Sequence, residues 1–198
     1  RFAQVSHEYL IEQLQYTNNQ IKTSTKLNFN HPVKELIWVG QDTTAATEGG
    51  SSATDVDATT NTQGQANMTN KNDYFNYMAN TGLTELINGQ TSNEHFDTAI
   101  LKLNGHDRFA AQKASYFRLV QPALAGHKVP EKHIYCYSFA LEAEEHQPSG
   151  TCNFSRIDNS QLNFNSTVTV DNETLHVYAV NYNVLRIMSG MGGLAYSN

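Results

Sequence analysis

The sequence predicts an all-β sandwich, and three observations carry that expectation. Apolar residues recur with period two in one run after another, turn dipeptides separate those runs, and no long segment of period 3.6 or heptad repeat intervenes. A chain of 198 residues with 39% hydrophobic content is long enough to bury one sizeable core, so residues 1–198 are expected to form a single domain.

The strand candidates follow in chain order. "HEYLIEQLQY" opens the series near the start, "VKELIWVG" follows at 33–40 and "DTAILKL" at 97–103. "HIYCYSFAL" spans 133–141, and its Cys136 is expected to serve as a small buried hydrophobe. "QLNFNSTVTV" alternates most cleanly, with Leu162, Phe164, Val168 and Val170 on one face and Asn163, Asn165, Thr167 and Thr169 on the other. "LHVYAVNYNVLRIM" at 175–188 is the longest run, and its alternation fails around Asn181 to Asn183, where a bulge is expected. His31-Pro32, Asn104-Gly105 and Asp171-Asn172 mark turns between these runs. The expected core includes Leu10, Leu14, Ile37, Leu101, Leu103, Phe139, Phe164, Val168 and Val177, and Trp38 within "ELIWVG" is expected to be buried.

Two segments break the pattern. Residues 41–73 lack aromatics and are dominated by Thr, Ala, Asn, Gly and Ser, a composition that cannot bury a core. With strands on both sides, they read as a long surface loop inside the domain. "YFNYMANTGLTELINGQ" at 74–90 is expected to form one short helix around Leu83–Ile87.

Composition excludes several functions. Charged residues make up 16% of the chain, the net charge is -6 and the 13 basic residues are scattered, which argues against direct binding to nucleic acid. No apolar run approaches the length of a transmembrane segment. The chain begins at Arg1 without a basic and apolar leader, and is expected to be a piece of a longer polypeptide. Two cysteines, Cys136 and Cys152, make no disulfide framework and lack the CxxC spacing of a metal site. The sequons at Asn67, Asn153, Asn165 and Asn172 carry little weight in a chain rich in Asn and Thr.

The stretch "EEHQPSGTCNFSRIDN", Glu144 to Asn159, has the composition of a catalytic loop. Its spacing argues otherwise. Glu144, Glu145 and His146 are consecutive and cannot place metal ligands on one helix face as HExxH does. His106 and Asp107 follow a turn, where a solvated histidine is ordinary. The chain holds no HxH, no GxSxG elbow and no glycine-rich phosphate loop followed by a helix. No catalytic, cofactor-binding or metal-binding residue is therefore assigned, and no cofactor is expected. Gln147-Pro148-Ser149-Gly150 is expected to form a β-turn, with Gly150 a candidate for positive φ. Cys152, Phe154 and Ile157 should then re-enter β structure, with Arg156 and Asp158 two apart on one strand face.

Five blocks carry a family resemblance: "FAQVSHEYLIEQLQ" at 2–15, "LKLNGHDRF" at 101–109, "YFRLVQP" at 116–122, "YSFALEAEEHQPSGTCNFSRIDN" at 137–159 and "YAVNYNVLRIMSGMGGLAYSN" at 178–198. Together they resemble the C-terminal half of the major capsid protein of nucleocytoplasmic large DNA viruses, of the algal-virus and giant-virus type. The resemblance implies an eight-stranded antiparallel jelly-roll β-sandwich, the second half of a double jelly roll, and a structural role without enzymatic activity. It also implies a homotrimer forming a pseudo-hexagonal capsomer of an icosahedral capsid. Its partners would be neighbouring capsomers and minor capsid proteins, in a virion assembled in the host cytoplasm. The alternative is a lectin-like, carbohydrate-binding jelly roll in which Trp38 or a tyrosine stacks on sugar; the fold alone does not separate the two.

Overall fold

The computed structural model describes residues 3–42, 83–87, 90–165 and 173–196, with the single positions 75, 77 and 79. The chain forms strands β1 (His7–Gln20), β2 (Ser24–Lys26), β3 (Pro32–Asp42), β4 (Leu83–Ile87), β5 (Gln90–Glu94), β6 (Thr98–Leu103), β7 (His106–Asp107) and β8 (Gln112–Lys113). A π-type turn at Tyr116–Val120 runs into the short helix α1 (Gln121–Leu124). Strands β9 (Tyr135–Ser138) and β10 (Cys152–Asn153), a 3-10 turn (Phe154–Arg156), β11 (Ser160–Asn165), β12 (Glu173–Met188) and β13 (Met191–Leu194) complete the described order.

Two antiparallel sheets face each other. One has the order β1-β12-β3-β10, with β13 also on β12 and β9 also on β3; the other has the order β2-β11-β6-β7, with β8 also on β6. The all-β sandwich expected from the alternation is present. Its segmentation is finer than eight strands, because β2, β7, β8 and β10 pair over only two or three residues each. The helix expected at Leu83–Ile87 is instead β4, which pairs with β5 in a hairpin. The dipeptide Asn-Gly follows Ile87 in the sequence, a signal that favours a hairpin over a helix. Asn104 and Gly105, at φ 51° and 82°, make the corresponding tight connection from β6 to β7.

The core lies between the sheets and is largely aromatic. Trp38, Phe96, Phe117, Tyr135, Leu36, Leu101, Leu162, Phe164, Leu175 and Val177 are buried in one cluster. Phe96 links the layers, with ring centroids 4.9 Å from Tyr135 and 4.7 Å from Phe164. Such pairs add roughly 0.5–1.5 kcal/mol each beyond area burial. Of the expected core, Leu101, Phe164 and Val177 are buried, Leu103 and Phe139 pack at its margin, and Val168 lies outside the described residues. Leu10 and Ile37 are half-buried, and Leu14 is 63% exposed.

The phase of β1 explains Leu14. A strand turned by one residue exchanges its faces, and here Gln13, Gln15 and Thr17 point toward the sandwich side while Leu14 and Tyr16 point away. Polar side chains hold that phase through hydrogen bonds. Gln15 Nε2 donates to Asn181 Oδ1 at 3.0 Å and to the Asn30 carbonyl at 2.6 Å, and Asn183 Nδ2 donates to Gln13 Oε1 at 2.9 Å. The same asparagines mark the expected bulge, since the register of β12 against β3 shifts between Val180 and Asn181. The loop expected at 41–73 begins later than its composition suggests: Gln41 and Asp42 still pair with Thr174 and Glu173, and the rest lies outside the described residues.

Candidate functional site

Two constellations bring chemically capable side chains together. The first lies beneath the β5–β6 junction, where Glu94 and His95 leave β5 inside the sandwich. Glu94 Oε1 is 2.9 Å from Arg118 Nε of the π-type turn, and its Oε2 accepts from the Tyr135 hydroxyl at 2.5 Å. His133 Nε2 lies 3.9 Å from the same carboxylate. His95 places Nδ1 at 2.8 Å from Glu173 Oε2 and Nε2 at 2.8 Å from the Tyr77 carbonyl oxygen. Gly40 is required against this imidazole, because a Cβ there would sit 2.6 Å from His95 Cε1 and Nε2.

Burial governs the protonation of this cluster. It pushes His133 down to about 3, helped by the charges of Arg118 and His95, so this imidazole is neutral at pH 7. Burial and then the adjacent Glu94 carboxylate hold Tyr135 protonated well above the ordinary tyrosine range. Glu94, His95, Arg118, His133, Tyr135 and Glu173 are each between 0% and 7% exposed, so none presents a face to a substrate. The cluster is a junction. It ties the β5–β6 corner to the π-type turn, β9 and the start of β12.

The second constellation holds the connection from β9 to β10, which contains the "EEHQPSGTC" run. Glu144 Oε1 lies 2.9 Å from His127 Nδ1, and the opposite ring nitrogen, Nε2, lies 2.7 Å from Glu35 Oε2 on β3. Burial alone would push His127 down; the hydrogen bonds and charges of Glu35 and Glu144 outweigh it, and the net shift is upward. Glu145 and His146 are exposed. Cys136 is buried as expected and its thiol is pushed up to about 12, first by burial and then by Glu35, so it is no nucleophile at neutral pH. Among the described residues no group of three or more His, Cys, Asp or Glu side chains is arranged to hold a metal ion.

Cys152 re-enters β structure in β10 as expected, and the rest of the run departs from the expected turn and strand. No backbone hydrogen bond among the described residues closes 147–150 into a β-turn; Ser149 Oγ instead accepts from the Glu142 amide at 3.0 Å. Gly150 does not have positive φ, and its constraint is a close approach to the Phe139 carbonyl. Phe154 and Arg156 lie in a 3-10 turn capped by Asn153 Oδ1, so Arg156 and Asp158 do not share a strand face. His106 is exposed, and Asp107 pairs with Lys102 at 3.3 Å. Of the cluster members, sequence reasoning singled out Glu144 alone; two of those it missed, Arg118 in "YFRLV" and Glu35 in "VKELIWV", share one signal. Each is a charge inside an apolar run.

A two-sheet antiparallel sandwich whose buried charged groups are tied to one another at internal junctions has the build of a jelly-roll protein. Comparison with known proteins gives the same class. Residues 1–193 match the family described as large eukaryotic DNA virus major capsid protein, and the chain belongs to that family. It is 44% identical to the major capsid protein of Pyramimonas orientalis virus and 43% identical to that of Paramecium bursaria Chlorella virus 1, in each case over 100% of this chain but 45% and 50% of the relative. The chain thus spans about half the length of these curated relatives. A solved structure titled as a quasi-atomic model of the PBCV-1 virus capsid aligns with a TM-score of 0.70 at 38% identity, covering 100% of this chain and 53% of that one. The Faustovirus major capsid protein, at 13% identity and a TM-score of 0.57, shares the fold. No helix among the described residues is long and apolar enough to cross a membrane.

Proposed function

We propose that this chain is a shell-building module: one jelly-roll domain, residues 1–198, of a longer capsid subunit that assembles as a homotrimer into pseudo-hexagonal capsomers of an icosahedral virion. Residues 43–73 are then a surface loop of that domain, and the subunit's partners are neighbouring capsomers and minor capsid proteins, brought together in the host cytoplasm. The observation that carries the assembly reading is the outward face of β1. Leu14 and Tyr16 are 63% and 49% exposed along a strand that pairs with β12 on one side and with no other described strand. A long edge with large apolar side chains is a surface that a folded chain ordinarily covers.

Electron microscopy and mass measurement of the full-length product test this. Pseudo-hexagonal trimers support it, and a monodisperse monomer at assembly concentrations refutes it. The lectin alternative loses its strongest platform, since Trp38 is 1% exposed. A defined sugar preference on a glycan array, without trimers, would restore it.

A further inference from the structure

We propose that His127 is a proton-dependent clasp for the β9–β10 connection. The doubly protonated ring holds Glu144 against β3, and loss of one proton releases the connection and uncovers the cavity beneath it. The geometry requires two protons, because both ring nitrogens face carboxylate oxygens at 2.7 Å and 2.9 Å and a carboxylate can only accept. A neutral imidazole keeps one N–H and turns a lone pair toward the other carboxylate. Glu35 is 5% exposed and fixed on a strand, whereas the Glu144 side chain is 62% exposed on an irregular connection. Glu144 is therefore the partner that leaves.

The surroundings favour a hinged release. A cavity of about 280 Å³ lies beside the clasp, lined by Ile37, Pro122, Ile134 and Cys136 together with Lys128, His127 and Glu144. The connection is otherwise anchored near His127 by the Ala143 amide, which donates to the Ala125 carbonyl at 3.0 Å, and by a small cluster of Ala125, Ala140 and Ala143. The titratable groups facing His127 are Glu35 from β3, with the Tyr182 phenol of β12 near it, the protonated Cys136 thiol from β9 and Glu144 from the connection. Lys128 lines the same cavity, and Glu131 and Lys132 beyond it are exposed, Lys132 donating to the Phe75 carbonyl. Glu142, Glu145 and His146 are exposed on the connection, and α1 contributes no titratable side chain. The direction follows from the upward net shift: the clasp is complete below the ordinary imidazole value of 6.5 and is lost as pH rises through the higher folded value.

Hydrogen exchange with mass spectrometry on the full-length, assembled protein tests this at about pH 5.5 and about pH 8.5, either side of the ordinary imidazole range, after correction for intrinsic exchange. Peptides covering 139–151 should lose about tenfold in protection at the higher pH, the scale of one charge-assisted hydrogen bond, while β3 and β9 do not change. His127→Gln should show the low protection at both pH values. If that variant also loosens β3, the exposed Glu144→Gln carries the test and should likewise abolish the pH dependence. Protection in 139–151 that is independent of pH, or a pH dependence that survives in Glu144→Gln, overturns the clasp.

Discussion

Replacing Gly150 separates two reasons for a glycine. Its backbone is outside the left-handed region, so a side chain is not excluded by φ. What excludes it is space: an added Cβ would collide with the Phe139 carbonyl oxygen and meet Ala140 Cα at 3.3 Å and Phe139 C at 3.4 Å. That neighbour cannot retreat freely, because the Phe139 amide donates to the Lys34 carbonyl on β3 at 2.9 Å. Forcing one carbon into such a contact costs about 1–3 kcal/mol. The reduced freedom of the unfolded chain returns about 0.4–1 kcal/mol. Gly150→Ala should therefore destabilise by about 1–2 kcal/mol, a fall in Tm of about 2–8 °C for a chain of this size, and Gly150→Val by more. Gly105 is the control, at φ 82° with nothing within 4 Å of its added Cβ. There Asn, which visits the left-handed region readily, should cost little and Val about 1–2 kcal/mol. Differential scanning calorimetry of Gly150→Ala, Gly150→Asn, Gly105→Asn and Gly105→Val decides between the two reasons. A neutral Gly150→Ala, or a Gly150→Asn tolerated as well as Gly105→Asn, would refute the steric reading.

Further outcomes follow from the same geometry. Glu94→Gln leaves Arg118 buried without its carboxylate and should cost about 3 kcal/mol in chemical denaturation, the scale of a broken buried pair. His133, held down to about 3, gives stability that is complete above its ordinary 6.5 and lost as pH falls toward 3; the slope contributed there is at most about 1.4 kcal/mol per pH unit, and His133→Gln should flatten it in pH-dependent unfolding. Leu14→Lys should leave the melting temperature within about 1 °C, since an exposed position contributes little, but should reduce trimer yield by light scattering. Replacing residues 43–73 by a brief Gly/Ser turn should change stability by less than about 1 kcal/mol, because closure entropy varies slowly with loop length; unfolding of the deletion variant would place that segment in the core.

The legible part of the fold is the part that depends on period two. Leu162 and Phe164 are buried and Asn165 exposed, in the order their alternation demands, and the bulge in β12 sits where the alternation fails. Leu14 was misplaced for a physical reason. Apolar and glutamine side chains alternate along β1, and an isolated strand with that pattern has two acceptable phases. The choice is made by Asn181 and Asn183, which lie 166 and 170 residues away from Gln15 and Gln13. Leu83–Ile87 failed similarly: five residues with two leucines and an isoleucine suit either structure, and pairing with β5 decides. The buried junction of Glu94, Arg118, Tyr135, His95 and Glu173 was beyond reach because its members come from four separated segments.

The stretch from Glu144 to Asn159 resembles an active site because irregular backbone and catalysis draw on the same residue types. Between β9 and β11 the chain has only the two-residue ladder of β10, so its amides and those it touches must find side-chain acceptors or isolated carbonyls. Several of its polar residues answer such needs. Ser149 receives the Glu142 amide, Asn153 receives the Ser155 amide, and Ser155 Oγ receives the His31 amide at 2.8 Å. The Asn159 amide goes to Asn104 Oδ1, and Ser160 Oγ donates to the Leu27 carbonyl at 2.7 Å. These partners are on β2, β3 and the β6–β7 turn or beside them, so the stretch stitches both sheets at one end of the sandwich. A catalytic loop aims its polar atoms at an empty space; these are aimed at backbone. Glu144 differs: among the described residues its exposed carboxylate is held by the His127 imidazole, whose proton affinity is raised by the two carboxylates beside it.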